Sequence, residues 1–173
     1  MRIASALLLL ISLPAPALAV DRTEPIHIES DSLDIDDVKG VSAYRGNVVF
    51  RQGPNRLWAD EIVIHVRDRE ALDKIEAKGQ PARFRVVPET GEEAASGEAD
   101  LIEYRGAAGI MLLKGHARVR QGGHELAGDV IEYDTAKRTV RGGKQVDAQA
   151  RERVRVTIQP RQAQPETDAS PAP

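Results

Sequence analysis

The side chains of this 173-residue chain that could do chemistry are four histidines and a supply of carboxylates. Their use would be metal ligation or general acid–base catalysis. His27, His65, His116 and His124 lie on different units, and no pair has the spacing of a zinc motif. No cysteine is present, which excludes a disulfide staple, a thiolate metal site and a lipid-modified amino terminus. There is no Gly-x-Ser-x-Gly and no phosphate-binding loop, so a partner must drive any directional work. Any two carboxylates could be set as an acid and a base against a glycosidic bond. That chemistry also wants aromatic platforms for the sugar, and Trp58 is the one tryptophan in a chain that is 3% aromatic. The chain is therefore read as not an enzyme, with no metal and no cofactor. Its net charge is −3, or −4 once Arg2 is removed, with both signs interspersed. Nothing resembles the basic stripe that neutralises a nucleic-acid backbone, and no nucleic-acid partner is expected.

The elements that would position these residues are strands. Apolar residues alternate at Ile26 and Ile28, Leu33 and Ile35, Val48 and Phe50, Ile62 and Ile64, Ile102 and Tyr104, Ala117 and Val119, Ile131 and Tyr133, and Val154, Val156 and Ile158. Period two over short runs bounded by glycines predicts roughly a dozen or more strands in an all-β fold. Arg67 to Lys78 is the best candidate for a helical turn. The stronger signal is internal repetition. A shift of 69 lays Glu29–His65 on Glu98–Asp134 without a gap. "YRGNVVFRQG" (44–53) meets "LKGHARVRQG" (113–122), and Asp31 and Asp60 meet Asp100 and Asp129. These aspartates are expected to start strands or cap turns, and Gly46 and Gly115 to allow turns between strands. The acidic insert "PETGEEAASG" (88–97) reads as a solvated loop. One hairpin unit cannot bury its own apolar face, whereas stacked units bury each other's.

The two ends read differently. Residues 1–19 carry a positive start, a short apolar run broken by Pro14 and Pro16, and a small-residue site at Ala17-Leu18-Ala19, the signature of a cleaved secretory signal peptide. Residues 160–173, rich in Pro, Ala and polar groups, are expected to be a disordered tail. Residues 20–159 form the folded domain, addressed to the periplasm in soluble form.

"PIHIESDSLDID", "YRGNVVFRQGPNRLWADEIVIH", "KGQPARF", "EADLIEY" and "GDVIEYD" together resemble the OstA-like family of periplasmic lipopolysaccharide-transport proteins. The resemblance covers nearly all of the chain between signal and tail. It implies a twisted, slightly open antiparallel β-jellyroll built from repeated strand pairs. It implies a carrier that binds lipopolysaccharide through its lipid A acyl chains, associates with itself head to tail, and bridges LptC at the inner-membrane side to the LptD N-terminal domain at the outer-membrane side, for outer-membrane assembly.

The residues agree with that role. A carrier must offer acyl chains a long apolar interior, because about 0.8 kcal/mol per methylene is lost on exposure to water. The candidate lining is Ile26, Ile28, Leu33, Ile35, Val48, Phe50, Ile62, Ile64, Phe84, Ile102, Tyr104, Leu112, Ile131 and Tyr133, with Ile110 and Val119 beside them. The same residues could instead pack a closed core. Many inward positions are Val and Ala, which leaves room for a groove. An open roll also leaves two strand edges. The candidate partner edges are Ile26, His27, Ile28 and Glu29 at one end and Val154, Val156 and Ile158 at the other. Pairing unlike edges is β-augmentation and generates open filaments. Two other readings stand beside this one: a secreted β-roll that binds or cleaves a polysaccharide, and an envelope scaffold without lipid.

Overall fold

A computed structural model describes residues 24–67, 71–87, 93–134, 137, 139–143, 146–147 and 153–158. The expected signal peptide, the tail and the first half of the acidic insert lie outside these residues. Among these residues, ten antiparallel strands form one unclosed sheet. They are β1 (Ile26–Glu29), β2 (Ser32–Asp36), β3 (Val41–Gln52), β4 (Asn55–Arg67), β5 (Ala71–Val86), β6 (Ala95–Arg105), β7 (Ile110–Gln121), β8 (His124–Asp134), β9 (Thr139–Gly142) and β10 (Arg155–Thr157). Each of β3 to β8 pairs with its neighbours in sequence. β1 and β2 both pair with β3, and β9 and β10 both pair with β8. The count is lower than a dozen because the central strands run unbroken through a bend.

That bend lies at the same level in each pair from β3/β4 to β7/β8. Register shifts fall at Arg45/Val48, Trp58/Glu61, Lys78/Ala82, Glu98/Leu101 and Lys114/Ala117. Bulges turn a strand sharply, and a row of them creases the whole sheet. In β3 and β7 the turn is made by paired left-handed residues: Gly46 with Asn47 (φ 81° and 46°), and Gly115 with His116 (φ 75° and 49°). These glycines therefore lie inside strands, not between them. The repeated aspartates secure them. Asn47 donates its side-chain amide to Asp31 Oδ2 at 2.9 Å, and His116 Nδ1 lies 2.9 Å from Asp100 Oδ2. The two carboxylates cover the glycines so closely that a Cβ on Gly46 or Gly115 would collide with them. Pro81, with no N–H to give to a ladder, sits at the β5 irregularity.

The crease divides the sheet into two arms. One carries the inward row Leu33–Tyr44–Ile62–Ala77–Ile102–Leu113–Ile131 and is called the Tyr44 arm. The other carries Ile28–Phe50–Leu57–Phe84–Gly97–Val119–Leu126–Val156 and is called the Phe50 arm. Inward side chains of both arms join in one apolar cluster. Close to the crease the inward residues are Val48, Ala59, Ala82, Ala99 and Ala117, all buried. Where the arms converge only small side chains fit, so these alanines close the crease instead of widening a groove.

Three further expectations change. The helical turn at Arg67–Lys78 is the end of β4 and the start of β5. Ile75 and Ala77 point into the interior there, and cross-strand pairing decides the conformation. Ala95, Ser96 and Gly97, expected in a solvated loop, open β6. Gly97 pairs with Phe84, whose ring occupies the space a Cβ would need. Ile110 and Leu112 face outward, and Met111 and Leu113 take the inward positions.

Candidate functional site

The crease positions the interior, and the register determines who shares it. Of the predicted lining residues, Val48, Phe50, Ile62, Phe84, Ile102 and Ile131 are buried in the main cluster, and Ile28, Ile64 and Tyr104 pack partly buried against it. Tyr133 is half-buried in the row Ile64–Ile75–Tyr104–Met111–Tyr133–Val140. Leu112 belongs to a second, smaller cluster on the outer face with Val130 and Val146. The outward side is covered there, so both faces of "IMLL" call for apolar residues. Ile26, Leu33 and Ile35 are exposed at the β1/β2 edge, Leu33 by 52% and Ile35 by 59%. Val119 takes its expected inward place between Gly97 and Leu126.

The inward rows do not end inside the molecule. The Phe50-arm row runs to Ile28 on β1 and Val156 on β10, and the Tyr44-arm rows run to Leu33 and Ile35 on β2 and to Val140 on β9. Val140 and Val156 are exposed. Both ends of the sheet thus present the same kind of surface, an apolar row cut off at a strand with one unpaired edge. The edge residues divide by face. On β1, Ile26 and Ile28 alternate with outward His27 and Glu29, and Glu29 pairs with Arg51. At the other end Val154 packs over Gly128, Gly142 and Gly143, so its side chain is partly spent on its own chain, while Val156 and Ile158 remain exposed.

Outside the Leu112–Val130–Val146 cluster, the outer face of the Tyr44 arm carries charged side chains in pairs. Arg45 and Lys78 both reach Glu61, at 2.8 and 3.6 Å. Burial pushes the Glu76 carboxyl up, but hydrogen bonds from Lys74 and His65 outweigh it and hold that carboxyl below its usual range. Among the described residues no group of three or more His, Asp or Glu side chains converges as metal ligands, and no helix is long and apolar enough to cross a membrane.

Sequence reasoning missed Leu57, Leu113 and Leu126 in the interior. Leu113 could have been found by matching it to Tyr44 in the repeat, or by stepping back in twos from Ala117. It also missed the arginines that the register gathers on the outer face of the Phe50 arm, since these come from five different strands.

Residues 27–139 match the family described as LptA/(LptD N-terminal domain) LPS transport protein. Among curated proteins, the lipopolysaccharide export system protein LptH of Pseudomonas aeruginosa is 30% identical over 150 residues, covering 85% of this chain and 86% of that one. The lipopolysaccharide export system protein LptA of Escherichia coli K12 is 33% identical over 127 residues, covering 73% and 68%. Its counterpart in Haemophilus influenzae is 30% identical over 162 residues, covering 92% and 91%. A crystal structure of LptH from Pseudomonas aeruginosa, described as the LptA-homologous periplasmic component of the lipopolysaccharide transport device, superposes with a TM-score of 0.73. It is 29% identical and covers 82% of this chain and 99% of that one.

Proposed function

We propose that this chain, which belongs to the family of LptA and LptD N-terminal-domain lipopolysaccharide-transport proteins, is a periplasmic carrier that moves lipopolysaccharide from the inner toward the outer membrane as part of a protein bridge. The observation that carries this reading is the set of inward apolar rows that continue, uncapped, to both ends of an unclosed sheet. An acyl chain of about a dozen carbons loses on the order of 10 kcal/mol in water. A row of Ile, Leu, Val and Phe that never meets a closed end offsets that cost at every step along the path. Acyl chains lie between the arms, away from the alanine crease, against Ile28, Leu57, Ile64, Tyr104, Leu126 and Tyr133. Phe84 and Ile102 form the floor beneath them.

The rows become continuous from molecule to molecule when the β9/β10 end of one copy meets the β1/β2 end of the next. Val140 then comes to Ile35 and Val156 to Ile28, and the unpaired backbone groups of both edges are satisfied. The same edges serve LptC at the inner-membrane side and the LptD N-terminal domain at the outer-membrane side. The chain acts by binding, without catalysis or a cofactor. Residues 1–19 are removed as a signal peptide, and residues 20–159 form the carrying domain.

Native mass spectrometry of protein purified from its own envelope tests this. Bound lipopolysaccharide and a ladder growing by whole subunits are expected. Lipid-free protein that stays monomeric at high concentration overturns the reading. Ile26→Asp and Ile28→Asp should abolish the ladder while leaving the β signature in circular dichroism. A ladder that survives both changes places the contact elsewhere.

A further inference from the structure

The linear sequence scatters its charges, but the fold sorts them. Two outward rows cross the Phe50 arm. One reads Glu29–Val49–Trp58–Arg83–Glu98–Arg118–Ala127–Arg155, and the other reads His27–Arg51–Arg56–Arg85–Ser96–Arg120–Glu125–Thr157. Seven arginines face three glutamates in these rows, a net of +4 on a chain whose total is −3. Glu29 pairs with Arg51, Glu98 lies 3.7 Å from both Arg83 and Arg118, and Glu125 lies 3.4 Å from Arg118 and 2.6 Å from Arg120. Arg56 donates to the carbonyls of Gly53 and Asn55, and Arg85 and Arg155 meet no carboxylate among the described residues. The second row lies one residue in from the strand ends at Gln52, Asn55, Val86, Ala95, Gln121 and His124, and so follows the free rim of this arm. Trp58, 40% exposed, stands beside Arg83 one row behind the rim.

We propose that this arginine rim binds the phosphate groups of the carried lipid's sugar head group, while the acyl chains lie on the inward face of the same arm. The inference rests on the carrier reading given above. The charge complementarity is direct, because a phosphate monoester carries about −1.5 to −2 charges and a guanidinium offers it a planar fork of donors. Arg51, Arg56 and Arg85 stand on three neighbouring strands, about 4.8 Å from one strand to the next. A phosphate leaving one therefore finds the next within reach, and the rim holds the head group without fixing it at one place. Trp58 offers a flat face to a sugar ring beside the phosphate.

Trp58 is the sole tryptophan, so its emission reports on this surface directly. The full chain is titrated with diphosphorylated lipid A and with the same lipid stripped of both phosphates. The phosphorylated lipid is expected to bind about tenfold or more tightly. R56Q/R85Q should remove that advantage while leaving the stripped lipid's affinity unchanged, and R56K/R85K should restore part of it. Equal binding of the two lipids to the unmodified chain, or an equal loss for both in R56Q/R85Q, overturns the rim assignment. Inorganic pyrophosphate that binds as tightly as the phosphorylated lipid makes free phosphate the ligand and overturns the head-group assignment. Failure of the stripped lipid to bind at all is a different failure, that of the acyl-chain carrier itself.

Discussion

The two copies of the internal repeat share one backbone and differ in what covers them. Residues 29–65 and 98–134 place β3 on β7 and β4 on β8, with the same left-handed pair at the crease and the same aspartate over it. Leu33 in the first copy corresponds to Ile102 in the second, and Ile35 to Tyr104. Leu33 is half exposed and Ile102 is 4% exposed. The reason is position, because β6 lies between β5 and β7 whereas β2 has a neighbour on one side only. An apolar residue exposed at β2 thus sits where a strand is missing. The second copy shows what the first looks like once covered.

The largest expected difference comes from charging the equivalent positions. Ile102→Asp buries a carboxylate without a partner and should cost about 4 kcal/mol or more, enough to unfold the domain. Leu33→Asp should leave the melting temperature of the isolated protein within a few degrees and abolish self-association. Equal melting losses in the two variants would break the comparison. Next, Ile62→Ala and Ile131→Ala remove repeat-equivalent, fully buried side chains. Each should cost about 2–5 kcal/mol by urea unfolding, and a large inequality would show that one copy relaxes around the cavity better than the other. Gly46→Ala and Gly115→Ala strain a left-handed residue beneath a carboxylate and should each cost about 1–3 kcal/mol. Asp31→Ala should recover part of the first loss and Asp100→Ala part of the second.

The smallest effect concerns a position at which the copies differ in charge, Arg56 against Glu125. A hydrogen bond from Arg120 holds the Glu125 carboxyl below its usual range. A depressed carboxyl contributes stability that is present above its unfolded value, about pH 4.3, and is lost as pH falls through the lower folded value. Acid melting curves of Glu125→Gln should therefore match those of the unmodified chain at low pH and fall slightly below them near neutrality. The reverse order would mean that Glu125 does not gain from its arginines.

Much of this was legible in the residues. The repeat predicted equivalent strands, and Val48, Phe50, Ile62, Ile102 and Ile131 all face inward as alternation requires. Alternation failed at "IMLL", where an outer cluster with Val146 makes both faces apolar and erases the period. It failed for Ala95–Gly97, since a glycine chosen to fit under Phe84 looks, in one dimension, like a glycine chosen for a loop. The arginine rim was hidden for another reason. Arg51 and Arg56 flank one hairpin, but Arg85 and Arg120 lie about thirty residues further on at each step, and the pairing register alone brings all four into line.

The strand order has a further meaning for how such a chain comes to be folded. From β3 to β8 every strand lies between its predecessor and its successor in sequence, so each of these strands finds a partner in the segment just before it and none waits on a distant one. A chain delivered amino terminus first can lay down each strand on the one before it, and the surface left bare at any moment is a single growing edge. Assembly in this order keeps apolar surface covered as it is made, which shortens the time in which it can aggregate.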